Sequence, residues 1–93
     1  AEYVRVPDAM ANLSPVPEAL SDEQVLMCPD IMSTGFAGAE SGGVRIGDTV
    51  AVFAQGPIGL CAALGARLMG ATTIIGVDTV GERLSMARAL GVD

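Results

Sequence analysis

The chain has 93 residues, 51% of them hydrophobic and 17% charged, with a net charge of −6 at pH 7. This composition excludes a disordered chain, and the length allows one small domain at most. Five arginines and no lysine leave no basic stripe for nucleic acid, and the mostly apolar uncharged run Gly56 to Ala66 is too short to cross a bilayer.

In chain order, Glu2 to Val6 alternates like a short strand, which Pro7-Asp8 ends. Asn12 to Pro17 reads as an irregular connection punctuated by proline. Ser21-Asp22-Glu23-Gln24 is a helix start, with Ser21 as N-cap and Gln24 completing a capping box. That helix carries Val25, Leu26 and Met27 and meets Pro29, which should end or kink it. Ile31 to Glu40 is expected to be helical, with Ile31, Met32, Phe36 and Ala39 apolar, until Gly42-Gly43 stops it. Val44 to Asp48 turns into a β-branched, aromatic run, Thr49 to Ala54. The tight turn Gln55-Gly56-Pro57-Ile58-Gly59 follows, then Ala- and Leu-rich helical sequence to Met69. A second strand, Thr73 to Val77, ends in an acid, Asp78. Val80, Leu84, Ala87 and Leu90 have helical spacing, with Gly91 as the stop. An opening strand with no partner nearby, and a third parallel strand due at Gly91-Val92-Asp93, lead us to expect a piece of a larger protein. Cys28 and Cys61 have no motif spacing. Both read as packing residues, Cys61 as a small buried hydrophobe, and a reducing, cytoplasmic setting fits them.

The stretch from Asp48 to Asp78 carries the chemistry. Strand, glycine turn, helix, strand and carboxylate is the order that a dinucleotide needs. The pyrophosphate would sit against free N–H groups at the helix start, where the helix dipole favours an anion. Gly56 would let the backbone approach the phosphates, and Gly59 would let the helix pack closely on the strand. Pro57 suits the first helical position, where its missing N–H costs nothing. That leaves the N–H of Ile58 as the phosphate donor. Asp78 would accept hydrogen bonds from the adenosine ribose. Ala54 stands at the first glycine position of G-x-G-x-x-G, which costs little if its φ stays negative. The competing reading is a phosphate-free βαβ unit whose glycines serve packing alone. Asp30 after Pro29 reads on its own as a helix cap, and Arg83 as a solvated helix face.

Ala-Glu-Tyr-x-x-Val-Pro at the start, Asp30 to Gly35 as D-x-x-x-T-G, then G-D-x-V-x-V, G-P-I-G-L, G-V-D, Arg83-Leu84 and Ala89-Leu90-Gly91 together resemble the medium-chain zinc-dependent alcohol dehydrogenases. The run Pro29 to Glu40 is most similar to the bacterial secondary-alcohol members. The resemblance is collinear over essentially the whole chain. It implies an α/β fold: the first βαβα part of a Rossmann doubly wound parallel sheet, preceded by a short strand and helices from the domain junction. Residues 1–28 would close the catalytic, GroES-like domain and its linker, and 29–93 would form the N-terminal half of the NAD-binding domain.

Roles follow from the resemblance residue by residue. Asp30 falls where most members carry a zinc-binding cysteine and the secondary-alcohol members an aspartate, so it is implied as a zinc ligand and, through the metal, as catalytic. Thr34 is implied to lie against the nicotinamide. Its alternative is a hydroxyl bonded back to the helix backbone. Arg83 is implied to reach the adenosine ribose. Gly56, Pro57, Ile58, Gly59 and Asp78 complete the cofactor set. The implied activity is hydride transfer between an alcohol or ketone, secondary by subgroup, and NAD, with zinc as the Lewis acid. Asp78 makes NADP the lesser expectation. The other zinc ligands, a Cys and a His, are expected upstream of Ala1. The partners implied are a small-molecule alcohol or ketone and copies of the same protein, as a tetramer, with no nucleic acid and no membrane. By itself the segment is expected to be inactive, to bind NAD weakly at best and to fold poorly. Two alternatives remain open: a zinc-free quinone or enone reductase of the same superfamily, which Asp30 and Asp78 argue against, and a non-catalytic nucleotide-binding module.

Overall fold

A computed structural model describes residues 1–93. The strand expected over Glu2 to Val6 does not form: these residues take no regular structure, and all but Val6 are exposed. Strand backbone needs a neighbour to take its N–H and C=O groups, and the single sheet has two strands, both later in the chain. Where an irregular connection was expected, one helical turn precedes it, α1 (Ala9–Asn12). The Asn12 side chain donates to the Pro7 carbonyl at 2.9 Å and closes that turn. Helix α2 (Asp22–Val25) starts as its sequence predicts. Ser21 Oγ accepts the Gln24 N–H at 3.4 Å, and Gln24 Oε1 accepts the Ser21 N–H at 2.9 Å.

Pro29 neither ends the helical path nor simply kinks it. Residues Cys28–Met32 form a π turn, closed by the Met32 N–H on the Met27 carbonyl at 2.8 Å. Proline has no N–H to give an i→i−4 bond, and the wider turn accommodates the missing donor. Helix α3 (Ser33–Ser41) continues from it. Cys28, expected to pack, is exposed at this turn.

Strands β1 (Thr49–Phe53) and β2 (Thr73–Val77) pair in parallel, in register from Thr49 with Thr73 to Phe53 with Val77. Helix α4 (Pro57–Leu68) connects them, and α5 (Gly81–Ala89) follows β2. Gly91, at φ 77°, ends α5 as expected: its N–H bonds the Arg88 carbonyl at 2.9 Å, and the Val92 N–H bonds that of Ala87 at 3.0 Å. Asp93 then lies along the free edge of β2. Its N–H reaches the Ile74 carbonyl at 2.8 Å, and its carbonyl takes the Gly76 N–H at 2.7 Å. That is the slanted pairing of a third parallel strand.

Period-two alternation sorts the sheet. Val50, Val52 and Ile74 face the helices and join a core of Ala39, Ala63, Ala66, Ala71, Ala87 and Val92. Phe53, Ile75 and Val77, on the alternate positions, are exposed. A core made mostly of alanine works only if helices approach closely, and two glycines permit it. A Cβ on Gly35 in α3 would lie 2.6 Å from the Cys61 Cβ and 2.8 Å from the Ile58 carbonyl oxygen of α4. One on Gly59 would lie 1.8 Å from the Ala54 carbonyl oxygen at the end of β1. Cys61 is thus a partly buried packing residue, as expected.

The two turn glycines should therefore respond differently to alanine. Gly59→Ala forces a backbone displacement and is expected to cost about 3 kcal/mol or more, at the top of the overpacking range. Gly56→Ala, whose Cβ would meet nothing within 4 Å, is expected to cost less than about 1 kcal/mol. Denaturant unfolding of both variants measures this, and equal losses would contradict the packing assignment.

Candidate functional site

The carboxyl end of the sheet carries the site. β1 runs out at Phe53, and the next residue, Ala54, turns into the left-handed region at φ 71°. The negative φ assumed for Ala54 is thus corrected. Left-handed backbone costs an L-residue about 1 kcal/mol, because Cβ crowds the carbonyl. The conformation is held from both sides: the Ala54 N–H bonds the Val77 carbonyl at 2.7 Å, and the Ala54 carbonyl packs against Gly59.

Gly56 is the N-cap of α4, extended at φ −76° and ψ −176°. Its value is room, since a Cβ there would point into open space. Pro57 occupies the first helical position. The N–H groups of Ile58 and Gly59 bond no backbone carbonyl; the first internal bond runs from Leu60 to Gly56 at 2.9 Å. The two free donors open on a cleft lined by Phe53, Ala54, Gly56, Pro57, Ile58 and Arg83. Unpaired N–H groups at the positive end of a helix, beside an unobstructed glycine, form an anion cradle.

Asp78 lies at the end of β2, its side chain 5% exposed. Its Oδ2 accepts the Gln55 N–H at 2.6 Å and its Oδ1 the Val80 N–H at 2.9 Å. Arg83 Nη1 stands 3.7 Å from Oδ2, with the Arg83 side chain 53% exposed. The Gln55 N–H, first, and the Val80 N–H hold the Asp78 carboxyl below the usual carboxylate range; partial burial works against them, and Arg83 adds a smaller pull. Asp78 is therefore a fixed anion. A carboxylate has about four lone-pair directions, and two remain for hydroxyl donors. Arg83 is thus a solvated helix residue, as one reading had it, that also stands beside Asp78.

Asp30 and Thr34 meet each other, at a separate flank of α4. The Thr34 hydroxyl donates to Asp30 Oδ1 at 3.2 Å. It does not bond back to the helix backbone, and Asp30 caps no helix. Gly35, next to Thr34, lies against Ile58, Cys61 and Ala62 of α4. No three His, Cys, Asp or Glu side chains converge anywhere in the chain. The residues present thus offer a zinc ion one donor and do not hold it alone.

Two contributors escaped the sequence reading. Val80 gives only its backbone N–H, which no side-chain pattern signals. Gln55 is 1% exposed, and one signal did exist: it is a polar residue directly after the apolar run Val50 to Ala54.

The depressed ionisation of Asp78 has a pH consequence. Its stabilisation is complete above the unfolded carboxyl value of 3.8 and is lost as pH falls through the lower folded value. Wild type should therefore lose stability on acidification below that point. Asp78→Asn should start less stable and show a shallower loss, measured as unfolding midpoints against pH. Parallel curves would remove Asp78 as the titrating group.

No family model matches the sequence. Similarity to known proteins is nonetheless extensive. An alcohol dehydrogenase of Cupriavidus necator is 72% identical over 93 residues, which are 100% of this chain and 25% of that protein. The NADP-dependent isopropanol dehydrogenase of Thermoanaerobacter brockii is 47% identical over 78 residues, 84% of this chain and 22% of that one. The solved structure of the zinc-dependent alcohol dehydrogenase 2 of Streptococcus pneumonia in its apo form superposes with a TM-score of 0.89 at 39% identity, over 98% of this chain and 26% of that one. The chain spans about a quarter of the length of the relatives it matches. The βαβ unit thus has a Rossmann-like setting, and with sequence and backbone agreeing end to end, this chain belongs to the zinc-type medium-chain alcohol dehydrogenases.

Proposed function

We propose that the chain is the cofactor-binding junction of a dehydrogenase that moves a hydride between a secondary alcohol, or its ketone, and NAD. The observation that carries this reading is the placement of Asp78. Its carboxylate is fixed beside the open Gly56 turn by the Gln55 and Val80 N–H groups. In this reading the free N–H groups of Ile58 and Gly59 take the pyrophosphate. Asp78 takes the ribose hydroxyls, and Arg83 closes over the same sugar. Thr34, on the helix α3 that packs against α4, flanks the nicotinamide. The bound dinucleotide supplies the hydride acceptor. The chain's own part is to orient it.

NAD is favoured over NADP by charge. A 2′-phosphate would meet the nearly buried anion of Asp78, while Arg83, largely exposed, is already paired with it and contributes little across water. Thus the T. brockii relative's NADP dependence is not carried over. Asp30 is proposed as one donor to a zinc ion whose remaining ligands lie elsewhere in the whole protein. Its place in a π turn, exposed and with only Thr34 on its carboxylate, supports that reading. The proposed substrate is a small alcohol or ketone. The proposed setting is a cytoplasmic homo-oligomer, which two free thiols fit; no helix is long and apolar enough to cross a membrane.

Steady-state kinetics of the whole protein test the cofactor reading. kcat/KM should be higher with NAD than with NADP, and Asp78→Ser should lower the NAD value about tenfold or more, as expected for a lost charged hydrogen bond. A preference for NADP in wild type would overturn it. Metal analysis tests Asp30: Asp30→Ala should keep its circular dichroism and lose bound zinc, and full zinc occupancy would remove Asp30 from the ligand set.

A further inference from the structure

Gln55 is an expensive residue for its position. Its side chain is 1% exposed, lies over β2 at Gly76 and abuts the apolar core. A Cβ on Gly76 would fall 3.0 Å from Gln55 Cδ and 3.1 Å from Oε1. The amide Nε2 donates to the Val52 carbonyl at 2.7 Å. A carbonyl only accepts, so the nitrogen must face it, and Oε1 is left buried without a partner. A methionine would fill similar space with no orphaned oxygen to desolvate.

The amide does what methionine could not. Its bond to Val52 closes a short loop around Phe53 and Ala54, and Ala54 is the residue in left-handed backbone at φ 71°. Glycine would take that conformation freely, whereas alanine has to be held there. With Ala54 so turned, the next N–H along the chain, that of Gln55, points at Asp78 Oδ2 from 2.6 Å. Side chain and backbone of one residue thus act in series. We propose that the buried amide of Gln55 is a positioning residue for the adenosine half of the dinucleotide, holding Ala54 left-handed and thereby aiming the N–H that fixes Asp78. The inference rests on the cofactor reading above and adds the residue that shapes the turn.

The test is a binding cycle on the whole protein, with AMP as the probe because it occupies only the adenosine end. Gln55→Met should weaken AMP binding about fivefold, the size of one modest hydrogen bond. In an Ala54→Gly background the same substitution should change AMP affinity less than about twofold, because glycine does not need the strut. A merely structural role would lower the unfolding midpoint in both backgrounds and leave AMP affinity alone. If Gln55→Met does not fold, the pair Ala54→Gly and Ala54→Gly/Gln55→Met decides: matched affinities support the strut, while unequal affinities or an unfolded double variant overturn it. Equal losses in both backgrounds, or no loss in either, also overturn it. Asp78→Ala in the same assay separates the two claims. If it binds AMP like wild type, the cofactor reading itself has failed. If it loses AMP while Gln55→Met does not, only the strut has failed.

Discussion

The hydrogen bond from the Gln55 N–H to Asp78, at 2.6 Å, ties the end of β1 to the end of β2. Both strands stop within two residues of it, so it decides how the chain leaves the sheet on each side. On the β1 side it needs Ala54 in left-handed backbone, which opens the turn into α4. On the β2 side the same carboxylate takes the Val80 N–H, which starts α5. One anion therefore organises two helix starts. Charge-assisted bonds of this kind are stronger than neutral ones, and near-burial shields this one from competing water.

Packing supplies the second constraint. The core is mostly alanine, so its stabilisation comes from many close contacts and little from large side chains. Glycine at 35 and at 59 brings α3 against α4 and α4 against the end of β1. The same closeness sets the Gly35 turn of α3, next to Thr34, against Ile58, Cys61 and Ala62 of α4. Larger residues at either glycine would separate the two ends of the proposed site before they touched any ligand.

The sheet also shows an imbalance. Helices cover the face bearing Val50, Val52 and Ile74, while Phe53, Ile75 and Val77 face outward. Parallel sheets normally bury both faces. The relatives are about four times as long, since the chain covers 25% of the C. necator protein. An asymmetric sheet is what a quarter of such a protein would present.

Local chemistry made much of this legible in the sequence. The capping box at Ser21, the strand–turn–helix–strand order, the packing role of Gly59 and the stop at Gly91 each follow from a few neighbouring residues, and each is where it was expected. Asp78 could be located for the same reason: a strand ends where its apolar run ends. The failures share a different cause. Glu2 to Val6 alternates as a strand should, yet strand backbone needs a partner, and none is supplied. Pro29 removes a donor, but whether the chain breaks or widens into a π turn depends on what α3 packs against. The left-handed Ala54 and the buried amide of Gln55 are settled by contacts with Val77, Gly76 and Val52, of which two lie more than twenty positions away in the sequence. The sequence by itself determined the elements and the carboxylate. Only the tertiary structure decided how that carboxylate is held, because its partners are backbone N–H groups, which every residue but proline carries and which only folding can aim.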